Sequence, residues 1–159
     1  MKVICDQQHS SIIKHIYSPF KNQDSPHNSK HLFDIYSLTH IFWCMALLLI
    51  AFIFLGRLSS KQIWIIALVL SIMFEIYENS PTQIEKYRRI ETNSQGSSSY
   101  RGDTVINLIG DIISNMIGVY LALNLPIYSV IMILVGLFIR ITQVLGVKYW
   151  TETFQFIFM

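Results

Sequence analysis

Four segments almost empty of charge, residues 35–55, 63–79, 104–123 and 127–147, constrain this chain more than any other feature of it. A hydrocarbon core about 30 Å thick is crossed by roughly 20 residues of helix. Strands are excluded as spanning elements, because a few isolated apolar strands cannot close a barrel and their edges would leave backbone groups unpaired in lipid. The expected fold class is therefore all-α: a polytopic membrane protein with about four transmembrane helices in an up-down bundle. The second segment is the shortest. Its apolar part ends at Tyr77, and it spans only if Glu75 and Glu78 sit at or inside the interface.

Apolar residues make up 52% of the chain and charged residues 14%, against about 25% charged in an average soluble domain. The remaining charges crowd into connectors. Residues 56–61 form a tight turn, and the polar stretch 79–101 has Pro81 near its start and a serine-rich piece around Gly96 near its end. Asn124, Leu125 and Pro126 join the last two spans so briefly that an antiparallel hairpin is expected. The resulting organisation is a polar N-terminal tail (1–33), a transmembrane helical domain (34–148) that includes the polar connector 79–101, and a short C-terminal tail (149–159). The N-terminal tail has no apolar h-region, so insertion is expected to begin with the first span. Lys2, Lys14, Lys21, Lys30, Lys86, Arg88, Arg89 and Arg101 fall on one side and Arg57 and Lys61 on the other, which predicts that both termini are cytoplasmic. A net charge of +2 without a basic helix excludes a nucleic-acid partner. Cys5 and Cys44 have no CxxC or Cys/His spacing and form neither a disulfide framework nor a structural zinc site.

Polar residues inside the spans carry the functional signal. In the third span Asp103, Asn107, Asp111 and Asn115 recur at every fourth position, with Gly110, Ser114 and Gly118 among them. At about 100° per residue these positions share one helix face. The opposite face, Val105, Leu108, Ile109, Ile112, Ile113, Met116 and Val119, suits lipid. Asp111 lies about 12 Å along the helix from Asp103, well inside the hydrocarbon. An unpaired carboxylate there costs at least a few kcal/mol, so it must face partners or water. The second span ends in Glu75, Glu78 and Asn79, with Ser71 beside them, and the first opens with Asp34, Tyr36, Ser37 and His40. In an up-down bundle these three ends meet at one membrane level. His40, Glu75, Glu78, Asp103 and Asp111 are therefore expected to form one pocket, with Asn79 and Asn107 completing its hydrogen bonds. Gly110, Ser114, Asn115 and Gly118 also have a plain packing role open to them. Arg140, in the fourth span, is either a counter-charge for the acids or a snorkelling arginine.

Several of these residues fall in ordered motifs: Asn28-Ser29-Lys30-His31, Asp34 through His40, Glu75-Ile76-Tyr77-Glu78-Asn79, Ile84-Glu85-Lys86-Tyr87-Arg88, and Tyr100 through Asp111. Together they resemble a family of uncharacterised bacterial integral membrane proteins with the pattern N-S-Q-H, D-x-Y-[ST]-x-S-H, E-x-x-E-N, I-E-x-Y-R, G-D-S-x-x-N and a further Asp. More distantly, the order His, E-x-x-[EQ], Arg, D-x-x-x-N-x-x-G is similar to VanZ-like membrane proteins, with Asp111, Asn115 and Gly118 in the last three places. The resemblance covers about residues 28–123 and implies a bacterial cell-membrane location. Trp43 and Cys44 depart from it where the family has a second His and a Gly. No counterpart of the family's additional N-terminal span is expected in these residues, and the fourth span matches little beyond Ile139 and Arg140.

Two functions of different class are expected. In the first, the polar site binds or acts on a membrane lipid or lipid-linked headgroup. His40 serves as general acid or base, Glu75, Glu78, Asp103 and Asp111 suit a divalent cation such as magnesium, and Arg88, Arg89 and Arg101 hold an anionic headgroup. In the second, the acids form a structural network that holds the bundle together or docks a membrane partner or a second copy. A proton or ion pathway is a weaker third reading, because a few spans without an internal repeat make a poor conduit unless the chain oligomerises.

Overall fold

A computed structural model describes residues 29–54, 58–95 and 101–158, with all their side chains except those of 53, 54, 89–95, 148, 152 and 154–158. The helices are α1 (Ile35–Phe54), α2 (Ser60–Glu78), α3 (Pro81–Gln95), α4 (Val105–Asn124) and α5 (Ile127–Phe158). By length and composition four are able to cross a membrane, over Ile35–Phe52, Ser60–Glu78, Val105–Asn124 and Ile127–Val147. The all-α, four-span expectation holds.

Local chemistry explains where the helices begin. Ser59 caps α2 in a reciprocal box with Gln62, satisfying donors that the first turn leaves free. Thr104 caps α4 by accepting from the Asn107 N–H at 3.4 Å. Asp34 caps α1. Its carboxylate accepts from the Tyr36 N–H at 2.8 Å and the Ser37 N–H at 3.3 Å, while the Ser37 hydroxyl accepts from the Asp34 N–H at 3.1 Å. The polar connector contains α3, for which the sequence reading made no provision. Ser80 accepts from the Gln83 N–H at 3.4 Å and Pro81 occupies the first helical position, where its missing N–H costs nothing.

The helices pack in the order α2, α4, α1, α5, with α4 between α2 and α1, and α1 between α4 and α5. The short 124–126 link does join α4 to α5, but α5 then packs on α1, and the expected hairpin pairing is confined to a small contact. Glycines explain the close α1–α4 approach. A Cβ on Gly118 would stand 2.9 Å from the Ile41 carbonyl oxygen and 3.0 Å from the Cys44 Cβ. Because α4 is covered on two sides, its lipid face is narrower than its periodicity suggests, and Val119 is fully buried.

α2 shows the membrane solvent most directly. Its buried residues are Ile63, Ser71 and Glu75, while Ile65, Leu68, Val69, Leu70, Ile72, Met73 and Ile76 are exposed. Lipid is the favourable surroundings for such a surface, so the polar stripe turns inward. Between α1 and α5, Phe42, Trp43, Phe138, Tyr149 and Trp150 form an aromatic layer. Gly146 (φ 75°, ψ 172°) breaks α5, and the chain folds back so that Trp150 stacks on Phe138 at 4.8 Å and donates to the Thr142 hydroxyl at 2.8 Å. Helical structure thus continues to Phe158, with Tyr149 and Trp150 in the aromatic layer, where the sequence suggested a short C-terminal tail (149–159).

Candidate intramembrane site

The site is built from one side chain on each of α1, α2 and α4. His40 Nδ1 lies 3.7 Å from Glu75 Oε1, and His40 Nε2 lies 3.9 Å from Asp111 Oδ2. One ligand atom from each of the three residues falls within 4.8 Å of the others. Glu75 is 1% exposed and Asp111 3%. Among the described residues, neither carboxylate is within ion-pair distance of a lysine or arginine.

Each member is oriented differently. Asp111 Oδ1 accepts from the Ser37 hydroxyl at 3.0 Å, and that hydroxyl is itself held by the α1 cap at Asp34. The Asn115 amide reaches the Ser71 hydroxyl at 2.7 Å and His40 Nδ1 at 3.3 Å, linking all three helices. Glu75 has no such support, and among the described residues neither of its buried carboxylate oxygens finds a hydrogen-bond partner. A buried acceptor left unpaired costs about 1–3 kcal/mol, more when charged.

Glu78 and Asp103, expected in the same cluster, are engaged beside it. The Tyr87 hydroxyl of α3 donates to Glu78 Oε1 at 2.6 Å. Asn79 accepts from the Asp103 N–H at 2.7 Å, and its amide donates to Asp103 Oδ2 at 3.0 Å. Asn107 donates to the His31 carbonyl at 2.9 Å and to Asp34 Oδ2 at 3.4 Å. Asp34 is fully buried. Burial raises its carboxyl above the usual range, three backbone N–H groups (Ser29, Tyr36 and Ser37) pull the other way, and the nearby Asp103 charge adds to the rise.

The cations stand apart from the triad. Arg88 lies 3.9 Å from Glu85, and Arg101 is exposed. The Arg89 side chain is outside the described residues, as are residues 1–28 of the tail and the serine-rich stretch 96–100. Arg140 is exposed on α5 and pairs with no acid among the described residues, so the snorkelling reading fits it better than the counter-charge one. A small apolar cleft of about 120 Å³ between Leu49, Phe52, Ala122, Leu125, Ile127 and Val130 lies at the other end of α1 and α4. Asp34, Ser37 and Ser71 belong to the polar clusters expected to converge, and Tyr87 to a motif, but their individual partners were not legible in the sequence. The Asp34-x-x-Ser37 spacing is a cap signal. A hydroxyl's partner across a helix interface has no sequence signature.

The family described as "Protein of unknown function (DUF2585)" matches residues 11–148. This chain belongs to the DUF2585 family. Similar proteins include a UPF0314 protein of Paracoccus denitrificans, 31% identical over 112 residues that cover 70% of this chain and 56% of the relative. UPF0314 protein Atu8092 of Agrobacterium fabrum is 30% identical over 116 residues, covering 69% and 54%. A UPF0314 protein of Brucella anthropi is 27% identical over 127 residues, covering 76% and 59%. The chain thus spans about half the length of the curated relatives it matches. No solved structure matches it.

Proposed function

We propose that this DUF2585 protein uses the His40–Glu75–Asp111 site to bind, and act on, the phosphate-bearing headgroup of a membrane lipid or lipid-linked molecule. One observation carries the reading: the Glu75 carboxylate is buried between helices with both oxygens unpaired among the described residues. A network serving only to hold helices together gains nothing from an acid without hydrogen bonds, whereas a binding site keeps such a group for its ligand. Support also comes from the position of the triad near the start of α1, the end of α2 and the start of α4, below the segment that carries Arg88 and Arg101. His40, set between the two acids, serves the site either as its acid or base or as a ligand to a cation. The VanZ-like resemblance, whose last three places are Asp111, Asn115 and Gly118, belongs to this proposal, as does a cytoplasmic location for both termini.

The test is lipid analysis of the full chain extracted with its surrounding bilayer. A phosphate-bearing lipid is expected to be enriched with the wild type, retained in Lys61→Ala, and reduced at least 5-fold in a Glu75→Gln/Asp111→Asn double variant that keeps its helical content. Identical lipid profiles for all three proteins would leave the structural-network reading in its place.

A further inference from the structure

We infer that His40, Glu75 and Asp111 are the protein ligands of a divalent first-row transition-metal ion, with zinc as the reference case. The inference deepens the lipid-headgroup reading by giving that site its metal, although its own geometry supports it separately. The sequence pointed to an oxygen-only donor set drawn from four acids, which favours magnesium or calcium. Folding replaces that set. Glu78 is taken by Tyr87 and Asp103 by Asn79, and an imidazole joins the two remaining carboxylates. One nitrogen and two carboxylate oxygens suit zinc or manganese better than magnesium or calcium.

The spacing needs only a small contraction. Metal–ligand bonds of about 2.0–2.2 Å put neighbouring ligand atoms roughly 3.3–3.8 Å apart. Asp111 Oδ2 stands 3.9 Å from His40 Nε2, and one ligand atom from each of the three residues lies within 4.8 Å of the others, the 3.7 Å approach of Glu75 being to the other ring nitrogen, Nδ1. Charge agrees as well. A dication balances two buried carboxylates that have no lysine or arginine beside them among the described residues. Glu75, 1% exposed and lacking any hydrogen bond, is the ligand whose isolation the ion explains.

The surroundings also hold the ligands as metal sites do. Coordination through Nε2 requires the imidazole proton on Nδ1. The Asn115 amide nitrogen stands 3.3 Å from Nδ1 and 2.7 Å from the Ser71 hydroxyl; a half-turn of the amide would put its oxygen there to accept from that N–H. Ser37 holds the far oxygen of Asp111 at 3.0 Å. Asn115 and Ser37 are thus positioning residues. Three protein ligands leave a coordination position open, the arrangement of catalytic rather than structural zinc, and a headgroup phosphate oxygen is the chemistry that position would accept.

The purified full chain in detergent, stripped with chelator, tests this by calorimetric titration with Zn²⁺ and with Mg²⁺. One Zn²⁺ per chain is expected, bound at least 100-fold more tightly than Mg²⁺. Glu75→Gln and Asp111→Asn should each weaken it 10-fold or more and Asn115→Ala by a smaller factor, while Lys61→Ala leaves it unchanged. Should the acid variants fail to fold, the absorption spectrum of Co²⁺-loaded wild type decides: four- or five-coordinate visible bands support the site, and a six-coordinate aquo-like spectrum overturns it. Zinc binding indifferent to Glu75→Gln, or Mg²⁺ binding as tightly as Zn²⁺, also overturns it. Lipid content measured on the same samples separates the two proposals. Lipid retained without stoichiometric zinc removes the metal and leaves the lipid reading, and zinc bound with no enriched lipid does the reverse.

Discussion

Gly110 and Gly136 lie in spanning helices of the same bundle and meet opposite surroundings. A Cβ built on Gly110 would stand 1.5 Å from the Leu32 carbonyl oxygen, whereas one on Gly136 meets nothing within 4 Å. The turn before α1 lies directly on the α4 backbone at Gly110, and this contact brings the Asp34 cap to Asn107 and Ser37 to Asp111. Gly110→Ala must push the turn away, breaking that register at a cost of about 3 kcal/mol or more. Gly136→Ala gains helix propensity of about 1 kcal/mol. Thermal unfolding in detergent should therefore show a large drop for the first and none for the second; equal stability of the two variants would contradict the close approach. At this scale the sequence was readable where a periodic stripe spoke for itself, as in Asp103, Asn107, Asp111 and Asn115. It was mute on which acids find partners. Glu78 and Glu75 are one turn apart on α2, yet the Tyr87 hydroxyl donates to Glu78 and not to Glu75.

Spanning helices were legible because apolar length is a direct consequence of bilayer thickness. Their neighbours were not, because lipid is as apolar as the side chains it meets, and small residues and interhelical hydrogen bonds then decide the pairing. α3 was missed for another reason. Its sequence, from Pro81 to Gln95, has no apolar stripe long enough to mark it, and only the Ser80-Pro81 start signal announces it. The element nevertheless shapes the site, since Ile84 packs near Gly102 and Tyr87 reaches Glu78. Gly102 itself sits at φ +88°, where any Cβ would meet the Ile84 side chain at 2.9 Å. If α3 lies on the triad's side of the membrane and the α1–α2 turn on the other, single cysteines at Ser59 and Thr82, in a background with Cys5 and Cys44 replaced, will label from opposite faces of intact cells or oriented vesicles. Both positions are exposed. Labelling of both by one impermeant reagent added to one side would sink the arrangement of spans.

Across the whole molecule, the acids and the apolar surface settle into one division: α2 turns Ser71 and Glu75 inward and leaves its hydrophobic residues to lipid. A carboxylate held in that interior without hydrogen bonds is a source of instability, and proteins commonly tolerate such a cost where function requires it. The sign of its effect therefore separates a functional acid from a structural one. In chelator-treated protein, Glu75→Leu replaces an unpaired acid by an apolar side chain of similar size and removes the desolvation penalty, about 1–3 kcal/mol for an unpaired polar group. The variant should unfold at a higher temperature than the wild type under the same conditions, while losing zinc binding and the enriched lipid. Asp111→Leu is the internal comparison. Asp111 accepts a hydrogen bond from Ser37 at 3.0 Å, so its removal strands that hydroxyl and should stabilise less or destabilise. If Glu75→Leu instead lowers the stability of the metal-free protein by as much as Asp111→Leu, the Glu75 carboxylate is holding helices together, and the case for a ligand site at its position fails with it.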